Sequence, residues 1–166
     1  MGLNEDWRRR SLAAVWHPCT QMKDHERLPL IPIARGEGVW LYDFDGRRYL
    51  DGISSWWVNL FGHAIPRINA ALRAQLERPE HVLLAGFTHE PVIELSERLV
   101  ALLPAGLTRC FYADNGSSAI EVAVKMSYQY WQNTGFAKKT VICHLQNSYH
   151  GDTLGSVSIG GLDLFH

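Results

Sequence analysis

The chain has 166 residues, 46% of them hydrophobic and 20% charged, with a formal net charge of -1. That is the make-up of a folded globular protein long enough for one ordinary domain, which excludes a disordered or fibrous chain. Near-zero charge offers no electrostatic ground for nucleic acid or an anionic membrane, and no run approaches the roughly 20 apolar residues of a membrane span.

The N-terminus, Met1 to Arg10, is polar and lacks the apolar stretch of a signal peptide. Basic residues come in small groups (Arg8-Arg9-Arg10, Arg47-Arg48, Lys138-Lys139) that read as solvated faces. Cys19, Cys110 and Cys143 are far apart and odd in number, which indicates neither a disulfide framework nor a zinc site. A reducing, cytoplasmic setting is the simplest expectation, with no metal.

In chain order, residues 5–15 have the composition of a short helix halted near Pro18. Between Gly38 and Gly52 two aromatic-rich runs flank Asp45-Gly46, a tight-turn pair whose residues tolerate positive φ, and this predicts a β-hairpin. From Pro66 the period becomes helical, with Ile68, Leu72 and Leu76 on one face. A second helix is predicted from about Pro91 to Leu103, carrying Val92, Leu95, Leu99 and Leu102, and Pro104 and Gly106 end it. Arg109–Ala113 then reads as an apolar strand and Asp114–Ser118 as a polar turn. Ala119, Val122, Ala123, Met126 and Tyr130 follow at helical spacing up to Gly135, a C-terminal cap, and Thr140–Leu145 reads as a second strand. Strand, helix, strand predicts a βαβ crossover, hence an α/β chain with a parallel sheet. Two strands make no stable sheet of that kind, so the chain reads as one truncated after its first βαβ part.

Two places carry candidate chemistry. Asn115-Gly116-Ser117-Ser118 stands at the start of a helix, where backbone N–H groups lack internal partners and the dipole adds positive charge. Glycine admits an anion close to the main chain and serine adds a donor, which makes a phosphate cradle; the same residues also serve as plain turn and cap. The chain has neither GxxxxGK[ST] nor a GxGxxG after a strand, so a phosphate-bearing cofactor other than a nucleotide is left. The second place, Asn147–Thr153, directly follows the second strand. Ligands gather at the carboxyl ends of strands in open α/β sheets, so Tyr149 should share an edge with Gly116-Ser117 and could stack on a flat ring. A half-buried loop pair is the bland alternative for Tyr149-His150.

The ordered set Asp114-Asn-Gly-Ser-Ser118, Ala119-Ile-Glu-Val-Ala-Val-Lys-Met126 and Ser148-Tyr-His-Gly-Asp-Thr153 resembles the class III aminotransferases. Thr88-His-Glu-Pro91 before a helix and Asp43-x-Asp45-Gly46 with its Tyr49-Leu-Asp-Gly52 are also similar to that class. The resemblance implies an aspartate-aminotransferase-like fold (fold type I), with pyridoxal 5'-phosphate as cofactor and a homodimeric whole protein. It implies that residues 1–65 contribute to the small domain and 66–166 begin the large, cofactor-binding one. Trp16-His17-Pro18, Ser54-Ser55-Trp56-Trp57 and Gln129-Tyr130-Trp131 look like the branch working in biotin biosynthesis. That branch moves an amino group from S-adenosylmethionine to 8-amino-7-oxononanoate, giving 7,8-diaminononanoate.

Carried over residue by residue, the resemblance puts the cofactor phosphate on Gly116 and Ser117, cofactor and substrate on Tyr149, and substrate on Trp57. One departure stands in the N-terminal motif, which reads His17-Pro18-Cys19-Thr20 where the branch has tyrosine third. A thiol lacks the phenol's stacking area and strong donor, so Cys19 should meet the substrate differently. The lysines are Lys23, Lys125, Lys138 and Lys139, and none stands at the family's cofactor-binding position. Catalytic residues are therefore expected beyond this chain, which alone should be inactive. The alternatives are another class III aminotransferase, or a non-catalytic fragment that binds a partner or phosphate.

Overall fold

Residues 2–161 are described in a computed structural model, in which the chain forms two units, Met1–Leu83 and Leu84–His166. In the first unit α1 covers Leu3–Ala14, close to the predicted 5–15. Glu5 and Asp6 sit in its first turn, favourable for the helix dipole, and pair with Arg8 and Arg9 one turn on, each at 2.6 Å. Chain extension at Val15 ends the helix, and a 3₁₀ turn follows at Met22–Glu26.

The predicted hairpin forms between β2 (Trp40–Asp43) and β3 (Arg48–Leu50), with Leu41 opposite Tyr49. It is joined by β1 (Ile33–Glu37), which the sequence reading did not separate from its Pro-punctuated surroundings; β1 pairs antiparallel with β2 across a bulge. Gly46 takes φ +87° at the turn, as Asp-Gly requires. Buried Asp43 organises that turn: its carboxylate accepts from Asp45 N at 3.0 Å, Arg47 N at 2.8 Å and the Tyr49 hydroxyl at 2.9 Å. Asn4 of α1 accepts from Phe44 N at 3.0 Å, and Trp7 stacks on Phe44 at 5.1 Å, so α1 is docked on the hairpin tip. Helix α2 (Pro66–Leu76) starts with proline in its first turn, where the missing N–H costs nothing.

Between β3 and α2 the backbone does something periodicity does not foretell. Ser54, Ser55, Trp56 and Trp57 all have positive φ, at 50°, 46°, 67° and 65°. A left-handed residue costs on the order of 1–2 kcal/mol, and bulky side chains visit the region least. Asp51 answers this: its Oδ1 accepts from Ser55 N at 2.9 Å, and its Oδ2 accepts from Ser55 Oγ at 2.7 Å and meets His63 Nε2 at 2.7 Å. The Ser55 backbone N–H, then the Ser55 hydroxyl, then His63 hold the carboxyl down at about 2. A depressed folded-state pKa stabilises the fold above the unfolded value near 4, and that stability is lost as pH falls through about 2. The melting temperature of the full-length protein should therefore exceed that of Asp51→Asn by a constant margin above about pH 5, and the margin should close as pH falls toward about 2.

In the second unit α3 (Glu90–Leu102) is capped by His89, whose Nδ1 accepts from Val92 N at 3.4 Å. Helix α4 (Gly116–Asn133) is the long predicted one. Its end is a Schellman motif around Gly135, φ +84°: Phe136 N donates to Trp131 O at 2.9 Å and Gly135 N to Gln132 O at 3.2 Å. Trp131 and Phe136 meet edge-to-face at 5.7 Å, the apolar contact that motif favours, and Lys139 Nζ lies 3.6 Å over Trp131. Trp131 thus has a structural duty as part of the helix stop.

One expectation is corrected. Residues 109–113 and 140–145 flank α4 without forming ladder hydrogen bonds, and among the described residues the only sheet is β1-β2-β3 of the first unit. A strand exists through its neighbour, and strands joined by a crossover helix need not be adjacent. The apolar faces stay open: no apolar side chain is fully buried among the described residues, and Leu95, Leu99 and Leu102 of α3 are exposed. No described helix is long and apolar enough to cross a membrane.

Candidate functional site

The start of α4 is built by Asn115. Its backbone is extended (φ -157°, ψ 175°), its Oδ1 accepts from Ser118 N at 2.9 Å, and its carbonyl accepts from Ala119 N at 3.0 Å. The cap therefore satisfies one amide of the first turn. The N–H groups of Gly116 and Ser117 meet no acceptor among the described residues. A Cβ placed on Gly116 would touch nothing within 4 Å, so this side of the helix start faces open space. The capping and anion-binding readings do not compete here. Asn115 does the first and leaves two donors for the second.

The Tyr149 loop comes to the same corner. Ser117 Oγ accepts from Asp152 N at 3.1 Å, and the Tyr149 hydroxyl donates to Asp152 Oδ2 at 2.9 Å. Gly151 makes the approach possible, since its φ is +113° and a Cβ there would lie 2.9 Å from Ser117 Cα. Ser117 thus uses its oxygen as an acceptor to hold the loop. Tyr149 remains 55% exposed. This juxtaposition is the one the strand-end rule led to, although 140–145 carries no ladder.

Sequence reasoning missed Glu121, one turn after Ser117. Its carboxylate accepts from Gly155 N at 2.9 Å, at the start of the short helix α5 (Leu154–Ser158). A hydrogen bond from Thr153, against the cost of burial and aided by Gly155 and Ser156, keeps its carboxyl below the usual range. Ser117 and Glu121 together pin both ends of the Gly151–Gly155 segment onto α4. The available signal was weak: an acid at i+4 from Ser117, followed by Lys125 one turn further on, which reads as an ordinary solvated pair.

Trp57 and Cys19 belong to the first unit. Trp57 is 78% exposed and meets Trp56 edge-to-face at 6.0 Å. Cys19 is exposed with φ +56°, preceding Thr20, whose hydroxyl donates to His17 O at 3.2 Å.

The family described as Aminotransferase class-III matches residues 21–163. The adenosylmethionine-8-amino-7-oxononanoate aminotransferase of Geobacter sulfurreducens is 48% identical over 161 residues, covering 97% of this chain and 35% of that protein. The Helicobacter pylori protein of the same name is 47% identical over 166 residues, covering 99% of this chain and 38% of its own. The chain therefore spans about a third of the length of the curated relatives it matches. Among solved structures, the enzyme of that name from Methanocaldococcus jannaschii superposes with a TM-score of 0.92 at 40% identity, covering 98% of this chain and 37% of that one. An (S)-enantioselective omega-transaminase from Thermomicrobium roseum superposes with a TM-score of 0.89 at 32% identity, over 99% of this chain and 37% of that one.

Proposed function

This chain belongs to the class III aminotransferases, and from that membership we propose that it is the N-terminal part of the enzyme that aminates 8-amino-7-oxononanoate in biotin biosynthesis. The amino donor would be S-adenosylmethionine and the product 7,8-diaminononanoate. The observation that supports this most is the difference in likeness among solved structures: 40% identity to the Methanocaldococcus jannaschii enzyme of that name against 32% to the Thermomicrobium roseum omega-transaminase. Another class III activity is the second reading, favoured only by the shared fold.

Class III aminotransferases use pyridoxal 5'-phosphate, and the corner at α4 suits its phosphate: two unpaired amide donors, a hydroxyl proton and an open glycine face. Gly116 and Ser117 would hold that phosphate, assisted by the positive end of the helix dipole. When bound, the cofactor supplies the carbonyl and the electron-withdrawing ring through which an amino group is passed on. Tyr149 would lie against the ring and the substrate, its orientation set by the bond to Asp152. Trp57 and Cys19 would take the substrate, Trp57 offering apolar area to the nonanoate chain. The residue that binds the cofactor carbonyl, the carboxylate for the pyridine nitrogen and an arginine for the substrate carboxylate would come from the remaining two thirds of the protein.

Residues 1–65 would serve the small domain and 66–166 the start of the large one. The remainder would supply the strands that pair with 109–113 and 140–145 and cover the apolar faces of α3. The whole protein would be a cytoplasmic homodimer. The test is amino transfer by the full-length protein, with the product measured by mass. Formation of 7,8-diaminononanoate from S-adenosylmethionine and the keto acid supports the assignment. Turnover of other amines with that keto acid inert would move the protein to a different class III activity.

A further inference from the structure

The Asp51–Ser55–His63 cluster belongs to the first unit, and nothing in the proposed function uses it. Its position is unusual because both oxygens of the Asp51 carboxylate reach Ser55, inside the left-handed run Ser54–Trp57. Such backbone persists only where its surroundings over-determine it. Here one carboxylate does most of this, taking both the amide and the hydroxyl of Ser55. The Asp51 side chain is 5% exposed and that of His63 15%, so water competes little for these bonds.

His63 is itself fixed. Its N–H donates to Gly38 O at 2.7 Å and its carbonyl accepts from Gly38 N at 3.0 Å, while Asn59 Nδ2 lies 3.4 Å from its Nδ1. Its ring lies flush on β1: a Cβ at Gly36 would come within 2.6 Å of the imidazole Cγ. The clamp is thus tied to the sheet at one end and to the tryptophan turn at the other. Within the turn Trp56 and Trp57 are 59% and 78% exposed.

We propose that Asp51, braced by His63, is a positioning residue that holds the Ser54–Trp57 turn left-handed and so sets how well the Trp pair grips the apolar part of the substrate. The proposal rests on the reading of Trp57 as a substrate contact. A carboxylate that merely capped a helix would lead into right-handed backbone; this one leads into four left-handed residues.

The experiment uses the full-length protein. Asp51→Ala should raise KM for the keto acid about tenfold while kcat stays within about twofold, the pattern of a lost binding interaction. Adding Ser55→Gly should bring KM back to within about threefold of the parent, because glycine takes left-handed backbone without help. A merely structural role for Asp51 predicts no such rescue, since Ser55→Gly removes a hydrogen-bonding group and restores none. Asp51→Asn, which keeps one acceptor for Ser55 N, should fall between and covers the case in which the alanine variant does not fold. Crystal structures of the asparagine variant and the double variant supply the second readout. Positive φ at 54–57 retained in Asp51→Asn with parent-like KM overturns the clamp. Trp57→Ala separates the two readings: unchanged KM there refutes the substrate role of Trp57, whereas the φ values judge the clamp on their own.

Discussion

Replacing Gly151 by alanine in the full-length protein should weaken pyridoxal 5'-phosphate binding by about 100-fold, the consequence of roughly 2.7 kcal/mol lost at one corner. Two effects act together. Gly151 holds φ +113°, a conformation in which a side chain is strained by about 1–3 kcal/mol. Its new Cβ would also lie 2.7 Å from Ser117 Cβ and 2.9 Å from Ser117 Cα, and no rotamer change can move a backbone atom. The loop must then lift from α4, which breaks the bond from Asp152 N to Ser117 and takes Tyr149 with it. Gly116→Ala isolates the phosphate contact from the loop, because its Cβ enters open space and its helix-start backbone suits any residue. It should leave folding unchanged and affect only the approach of an anion. Cofactor titration followed by absorbance reads both variants, and parent-like affinity for Gly151→Ala would show that the loop does not help to hold the cofactor.

Much of this was legible in the residues because the signals were local. Asp45-Gly46 demanded a turn and made one, and Pro66, Pro91 and Gly135 marked helix ends that fall within a residue or two of the observed ones. The cap at the start of α4 was legible for the same reason: Asn115 caps and Gly116 opens space by properties of single residues. The strands of the second unit were not, since a ladder needs a partner that local pattern cannot supply outside a hairpin, and so 109–113 and 140–145 read as strands yet pair with nothing among the described residues. Bonds across long sequence separation were equally hidden. Glu121 reaches Gly155 across 34 residues, and Asp51 reaches His63 across 12. The left-handed Ser54–Trp57 turn runs against local preference, and it becomes intelligible only once Asp51, four residues before Ser55, is seen to take both that residue's amide and its hydroxyl.

The most direct measurement is a crystal structure of the full-length protein with pyridoxal 5'-phosphate bound. Gly116 N, Ser117 N and the Ser117 hydroxyl are uncommitted donors gathered at the positive end of an 18-residue helix. Charge-assisted bonds from such groups to an anion are shorter and about twice as strong as neutral ones, so a doubly charged phosphate has a strong reason to settle there. Phosphate oxygens are expected about 2.7–3.0 Å from those three atoms, with the Tyr149 ring against the cofactor ring. A cofactor whose phosphate is held by another part of the protein, with the start of α4 turned into the core and Tyr149 facing away, would contradict this expectation.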